Sequence, residues 1–117
     1  MAYKTHSEIS TAAVLSTNVK NTRAKLYGVQ AFSIDATPVY LKFYNKATAA
    51  TASDTPVKRL MIPAAATAAN GSGFIAIGWE SGLNFDLGLS IRATTGIADN
   101  DTGALSANEV IVNIDYD

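Results

Sequence analysis

Asp101-Thr102-Gly103-Ala104 is a stretch of this chain whose residue order matches a catalytic motif, the Asp-Thr-Gly that supplies half of an aspartic protease site. That chemistry needs two carboxylates sharing one proton and a water, one acting as base and the other as acid. A chain of 117 residues would have to pair two copies to assemble it. The setting argues against this use. Asp99 and Asn100 precede the motif where an apolar strand should bury the aspartate, and after Ala104 there is room for one strand and no second motif. The structural alternative is a turn in which the Asp101 side chain caps backbone N–H groups and Gly103 closes the bend.

Asp99 and Asp101 alternate as calcium ligands can, but an EF-hand type loop counted from Asp99 requires Glu at its twelfth position, which is Val110. An irregular calcium site using these two aspartates and loop carbonyls is left as the minor alternative to a hydrophilic connection. His6 is the single histidine, far in sequence from any nucleophile and orienting carboxylate, so a Ser-His-Asp triad is not expected. Asn70-Gly71-Ser72-Gly73 has neither the lysine nor the spacing of a phosphate-binding loop and suits a hairpin turn. With no cysteine, thiolate catalysis, disulfides and thiolate zinc sites are all excluded. The expectation is therefore no catalytic residue, no metal site and no cofactor.

Aromatic side chains offer binding in place of catalysis. Tyr27, Tyr40, Tyr44 and Trp79 could stack on a sugar or anchor a protein partner, because rings supply large contact area with little entropy to lose. Trp79 shares a strand face with Ile75 and Ile77, which favours the core. Tyr40 and Tyr44 lie opposite Val39, Leu41 and Phe43, so one of the two sets meets solvent or a partner unless both faces of the sheet are covered.

The elements that must position these groups are strands. Val110, Val112, Ile114 and Tyr116 alternate with Glu109, Ile111, Asn113 and Asp115 in the two-residue rhythm of a half-buried strand. The same rhythm follows Pro38 and runs from Leu87 to Ala93. Further strands are expected over 9–15, 24–34 with Gly28 as a bulge, 57–62 and 74–79. No window carries the 3.6-residue apolar stripe of a helix. The Ala-rich stretches 46–56 and 63–73 mix Ala with Thr, Ser, Pro and Gly and are expected as exposed loops with at most a short helical turn. Seven or eight short strands without covering helices predict an all-β antiparallel sandwich or jelly roll. Residues 24–117 then form a single domain. Residues 1–23, polar apart from positions such as Tyr3 and Ile9, are either an arm that packs on a neighbour or a first strand.

Composition narrows the partners. Hydrophobic residues make up 48% of the chain and charged residues 16%, with a formal net charge of −1 and no basic run. Nucleic acid and anionic membrane are not expected partners. The opening MAYKTHSEIS has no apolar signal core and no run reaches membrane-spanning length, so synthesis as a soluble chain in the cytoplasm is expected.

The series 26–32 (LYGVQAF), 36–47 (ATPVYLKFYNKA), 54–57 (DTPV) and 93–102 (ATTGIADNDT) resembles a family of small tailed-bacteriophage virion proteins, from about Lys25 onward. Gly78-Trp79-Glu80-Ser81-Gly82 departs from it, standing where the family carries a hydrophobic strand. The resemblance brings no catalytic motif. It implies a non-enzymatic decoration or cement protein on the exterior of a phage head, made in the host cytoplasm, with the major capsid protein and further copies of itself, as a homotrimer, for partners. Tyr3, Ile9, Tyr40 and Tyr44 are the candidate contact residues. A host-surface carbohydrate-binding fibre module is the alternative, and a dimeric aspartic protease the remote one.

Overall fold

A computed structural model of the chain describes residues 3–65 and 73–117. Among them there are eight strands and no helix: β1 (Lys4–Ile9), β2 (Leu15–Lys20), β3 (Ala24–Ser33), β4 (Val39–Asn45), β5 (Lys58–Ile62), β6 (Gly73–Phe85), β7 (Leu89–Thr94) and β8 (Val110–Tyr116). They build two antiparallel four-stranded sheets, ordered β1-β8-β3-β6 and β2-β7-β4-β5. The outermost strands in sequence pair with each other, as do the next two, and so on inward: β1 with β8, β2 with β7, β3 with β6, β4 with β5. That nesting, shared alternately between two sheets, is the winding of a jelly roll. The slab measures 39 × 31 × 19 Å.

The alternation seen in the sequence sets the core. Val29 and Ala31 of β3, Leu41 and Phe43 of β4, Leu89 and Ile91 of β7, and Val112 and Ile114 of β8 fill the space between the sheets and are fully buried. Burying one of these Val, Leu, Ile or Phe side chains contributes about 1.5–3 kcal/mol. Trp79 packs against this core at the edge, with the Lys58 ammonium 5.1 Å from its ring centre. At the other edge of the first sheet, β1 turns His6 and Glu8 inward as a pair, Nε2 to Oε1 2.7 Å. Inward polar groups on an edge discourage pairing with another chain.

Several strand limits differ from expectation. Of the two readings of residues 1–23, arm or first strand, the described part holds strands: Lys4–Ile9 and Leu15–Lys20 both belong to the sandwich. The strand expected over 9–15 is instead the turn between them, because Ser10 and Ala13 are tied to the 105–110 segment by Ser10 N–H to the Val110 carbonyl and Leu105 N–H to the Ala13 carbonyl. The bulge expected at Gly28 is present: pairing jumps from Leu26–Leu83 to Gly28–Gly78, so residues 79–82 swell out of β6. Gly82 takes φ 77° there, and a Cβ on it would meet the Tyr27 ring at 3.0 Å. The Ala-rich segment 46–56 is a mostly exposed loop, as expected, with one short turn closed by Asp54 N–H to the Thr51 carbonyl, although Ala50 is buried. The turn expected at Asn70 to Gly73 lies largely outside the described residues, although Gly73 itself opens β6.

Candidate functional site

The outer face of the second sheet is covered, and what covers it is loop. Ser16 and Asn18 of β2, Ser90, Arg92 and Thr94 of β7, and Tyr40, Lys42 and Tyr44 of β4 all point away from the core. Solvent would normally satisfy such a face; here Ser90, Thr94, Lys42, Arg92 and Tyr44 are buried. Buried polar groups need partners. Loop 46–57 supplies carbonyls, with Ser16 Oγ donating to Ala50 O at 2.8 Å and Ser90 Oγ to Thr48 O at 2.7 Å. Loop 95–104 supplies acceptors for Thr94, Lys42 and Arg92.

Beneath that second loop lies a row of three cations. Arg59 of β5 is directly opposite Lys42 of β4, which is directly opposite Arg92 of β7. Lys42 is 1% exposed and Arg92 3%. Among the described residues neither joins an ion pair. Lys42 Nζ donates to Ala98 O at 2.6 Å, Thr94 Oγ1 at 3.0 Å and Gly96 O at 3.4 Å. Arg92 donates to Asp101 O at 2.6 Å and Asp99 O at 3.4 Å. Burial, and then the neighbouring Arg92, hold the Lys42 ammonium below the ordinary lysine range. Arg59 reaches the loop from outside with a bidentate pair, Nε and Nη2 each 2.7 Å from an oxygen of Asp99.

The Asp-Thr-Gly stretch is the lock of this loop. Asp101 Oδ1 accepts N–H bonds from Gly103 at 2.8 Å and Gly96 at 3.1 Å, the side-chain turn expected of it. The loop closes so tightly that a Cβ on Gly96 would run into the Asp101 carboxylate. Both aspartates of the supposed calcium loop are thus engaged with donors. Among the described residues no three His, Cys, Asp or Glu gather as metal ligands. His6 sits on the edge strand with Glu8, remote from these groups in the fold.

The outer face of the first sheet is different. Directly opposite residues point to the same side of a sheet, so Ile9, Ile111, Phe32 and Phe74 form a row running across all four strands in order. Their exposures lie between 38% and 49%. The two phenylalanine rings touch, with centroids 4.8 Å apart. The next row is neutral: Ser7, Asn113, Gln30 and Ala76. Beyond it Asp115 is held by Thr5 Oγ1 and Gln30 Nε2, each at 3.1 Å. Around the sheet edge, a groove of about 400 Å³ between β5 and β6 continues the apolar surface through Phe74, Ile75, Ile77, Leu60 and Met61.

Of the expected contact residues, Ile9 ends the apolar row, and Tyr3 is exposed and stacks on Tyr27 at 4.5 Å. Tyr40 lines a second cavity together with Lys42 and Arg59. Tyr44 is corrected: it is 1% exposed, enclosed on the covered sheet face with its hydroxyl lacking a hydrogen-bond partner among the described residues, and has no surface to offer. Tyr40 and Tyr44 therefore do not form a two-ring platform. Phe32, Phe74 and Ile111, and the cation row, were not singled out from sequence. Ile111, an apolar residue on the polar side of the β8 alternation, is the signal that was there. No family model, curated protein or solved structure matches the chain.

Proposed function

We propose that the chain is a structural virion protein that decorates the outside of a phage head and binds across contacts between capsid subunits, without catalysis. The observation that carries this reading is the apolar row Ile9-Ile111-Phe32-Phe74, set on an outer sheet face that has few charges. Depletion of charge around exposed apolar and aromatic side chains is the composition of an interface centre. The resemblance of residues from about Lys25 onward to small phage virion proteins supports the same role. The row is small beside the roughly 800 Å² per partner that a stable pairwise complex buries. Small contacts become strong when a lattice repeats them, because each later contact is effectively intramolecular once the first has formed.

The working unit in this proposal is a homotrimer at a threefold or quasi-threefold position, with the major capsid protein as partner. The test has two arms. The mass of the purified chain is measured in solution, and its position is sought in a density map of the virion of the phage that encodes it. A trimer found on the shell, with the Phe32 face against capsid subunits, supports the reading. A strict monomer located at a fibre tip, or missing from the particle, overturns it. Phe32→Ser with Phe74→Ser should leave the fold intact, because both rings are partly in water already, and should abolish incorporation into heads.

A further inference from the structure

The cavity beside the cation row is not explained by shell binding. It measures about 280 Å³ and is lined by Tyr40, Leu60, Met61 and Ile97, with Lys42 and Arg59 as its charged members. Ile97 extends from loop 95–104 and is 71% exposed, which leaves the mouth open to solvent on one side.

The charges around it do not cancel. The charged groups acting on Lys42 are Arg92, Asp101, Asp99 and Arg59. With Lys42 itself this makes three cations and two carboxylates, an excess of one positive charge. Two of the cations are shut away from water, where an unbalanced charge is costly. Asp99 neutralises Arg59 through Nε and Nη2 only. Among the described residues no acceptor is seen on Nη1, so the guanidinium keeps donors for a second anion. A monoanion there restores neutrality, while a cation adds to the excess and a neutral molecule leaves it unchanged. The walls decide the rest of the ligand: aromatic and aliphatic side chains take a hydrocarbon tail in preference to a sugar or a polyphosphate.

We propose that this cavity binds a small amphiphilic carboxylate, its head group on Arg59 in the field of Lys42 and its tail among Tyr40, Leu60, Met61 and Ile97. The site is independent of the proposed role on the phage head.

Octanoate, octan-1-ol and octylammonium are titrated separately into the purified chain, with binding followed by calorimetry and by backbone amide chemical shifts. Octanoate should saturate, with shifts centred on residues 40–44, 58–62 and 95–101, and should bind about tenfold or more tighter than octanol, as expected for a charge-assisted contact. Octylammonium should not bind. Arg59→Gln should weaken octanoate by a similar factor. Because that substitution also releases Asp99, Asp99→Asn provides the opposing variant: removing the competing carboxylate should tighten octanoate several-fold, whereas a purely structural Arg59–Asp99 pair would make both variants weaker. Equal affinity for octanoate and octanol, absence of saturation, or loss of binding in Asp99→Asn would each overturn the proposal.

Discussion

Lys42 of β4 and Arg92 of β7 stand directly opposite one another on a buried sheet face, two cations whose partners are carbonyls and a hydroxyl instead of carboxylates. Like charges placed this way repel, so the pair persists because each holds a different part of loop 95–104. Lys42→Met removes the repulsion together with the ammonium's bonds to Ala98 O, Thr94 Oγ1 and Gly96 O, while the two carbonyls keep the Asp101 N–H at 3.0 Å and the Thr94 hydroxyl at 2.9 Å. Hydrogen bonds from a charged group contribute about 1.5–3 kcal/mol, and the variant should lose stability of at most that order in urea unfolding. Amides of loop 95–104 should exchange with solvent faster while those of β3 and β8 keep their protection. Unchanged protection in the loop would show that Lys42 is not its anchor.

Asp101 separates a turn-holding role from a catalytic one. Its Oδ1 alone accepts both loop N–H bonds, and an amide oxygen can occupy the same place. Asp101→Asn should therefore stay folded with a loss under about 1 kcal/mol, whereas Asp101→Ala should lose about 1–2 kcal/mol. Equal effects of the two substitutions on thermal unfolding would contradict this assignment.

Ser10 anchors the turn between β1 and β2. Its Oγ accepts from Glu109 N–H at 3.1 Å and Val110 N–H at 3.0 Å and donates to Ser106 O at 2.7 Å. Ser10→Ala keeps the shape and removes three bonds from a buried site, so a loss of about 2–3 kcal/mol is expected. Chemical denaturation measures it, and a loss within error of zero would mean that water replaces the hydroxyl.

Acid should loosen both loops over the second sheet. The Asp54 carboxyl is held below the ordinary aspartate range by the Lys46 ammonium at 2.7 Å and then by the Thr51 N–H. The Asp99 carboxyl is held below it chiefly by Arg59. A carboxylate whose folded pKa is depressed stabilises the fold above its unfolded pKa and stops doing so as pH falls through the folded value. The window is thus the acidic side of about pH 4. Carboxyl carbon shifts should give midpoints below the ordinary value for both residues, with loop amides exchanging faster beneath those midpoints; ordinary midpoints would remove this link.

Periodicity carried the strands whose one face meets the core. Val110, Val112 and Ile114 alternate with half-buried or exposed neighbours, so β8 was legible residue by residue. On β6, Leu83 and Phe85 repeat the same inward rhythm, but the bulge at 79–82 breaks the phase, and the strand was expected to end at Trp79. Between Ile9 and Leu15 the apolar spacing mimicked a strand, while the turn there is made by Ser10 bonding to residues about a hundred positions away. The covered face of the second sheet was hidden for the same reason. Lys42 and Arg92 look solvent-facing in any local window, and only the return of loop 95–104 over them makes them interior. The apolar row on the first sheet needs the register of four strands at once, and no single segment contains it.

The nested pairing of strands also dictates when this molecule can be finished. β8 lies between β1 and β3 in the first sheet, so until residues 110–116 are in place β1 lacks its one sheet neighbour and β3 keeps a bare flank. Closure joins Lys4 to Tyr116, a loop search that entropy makes slow. Before that closure β1 and β3 each present an unpaired flank, the place where β8 of a like chain could pair instead.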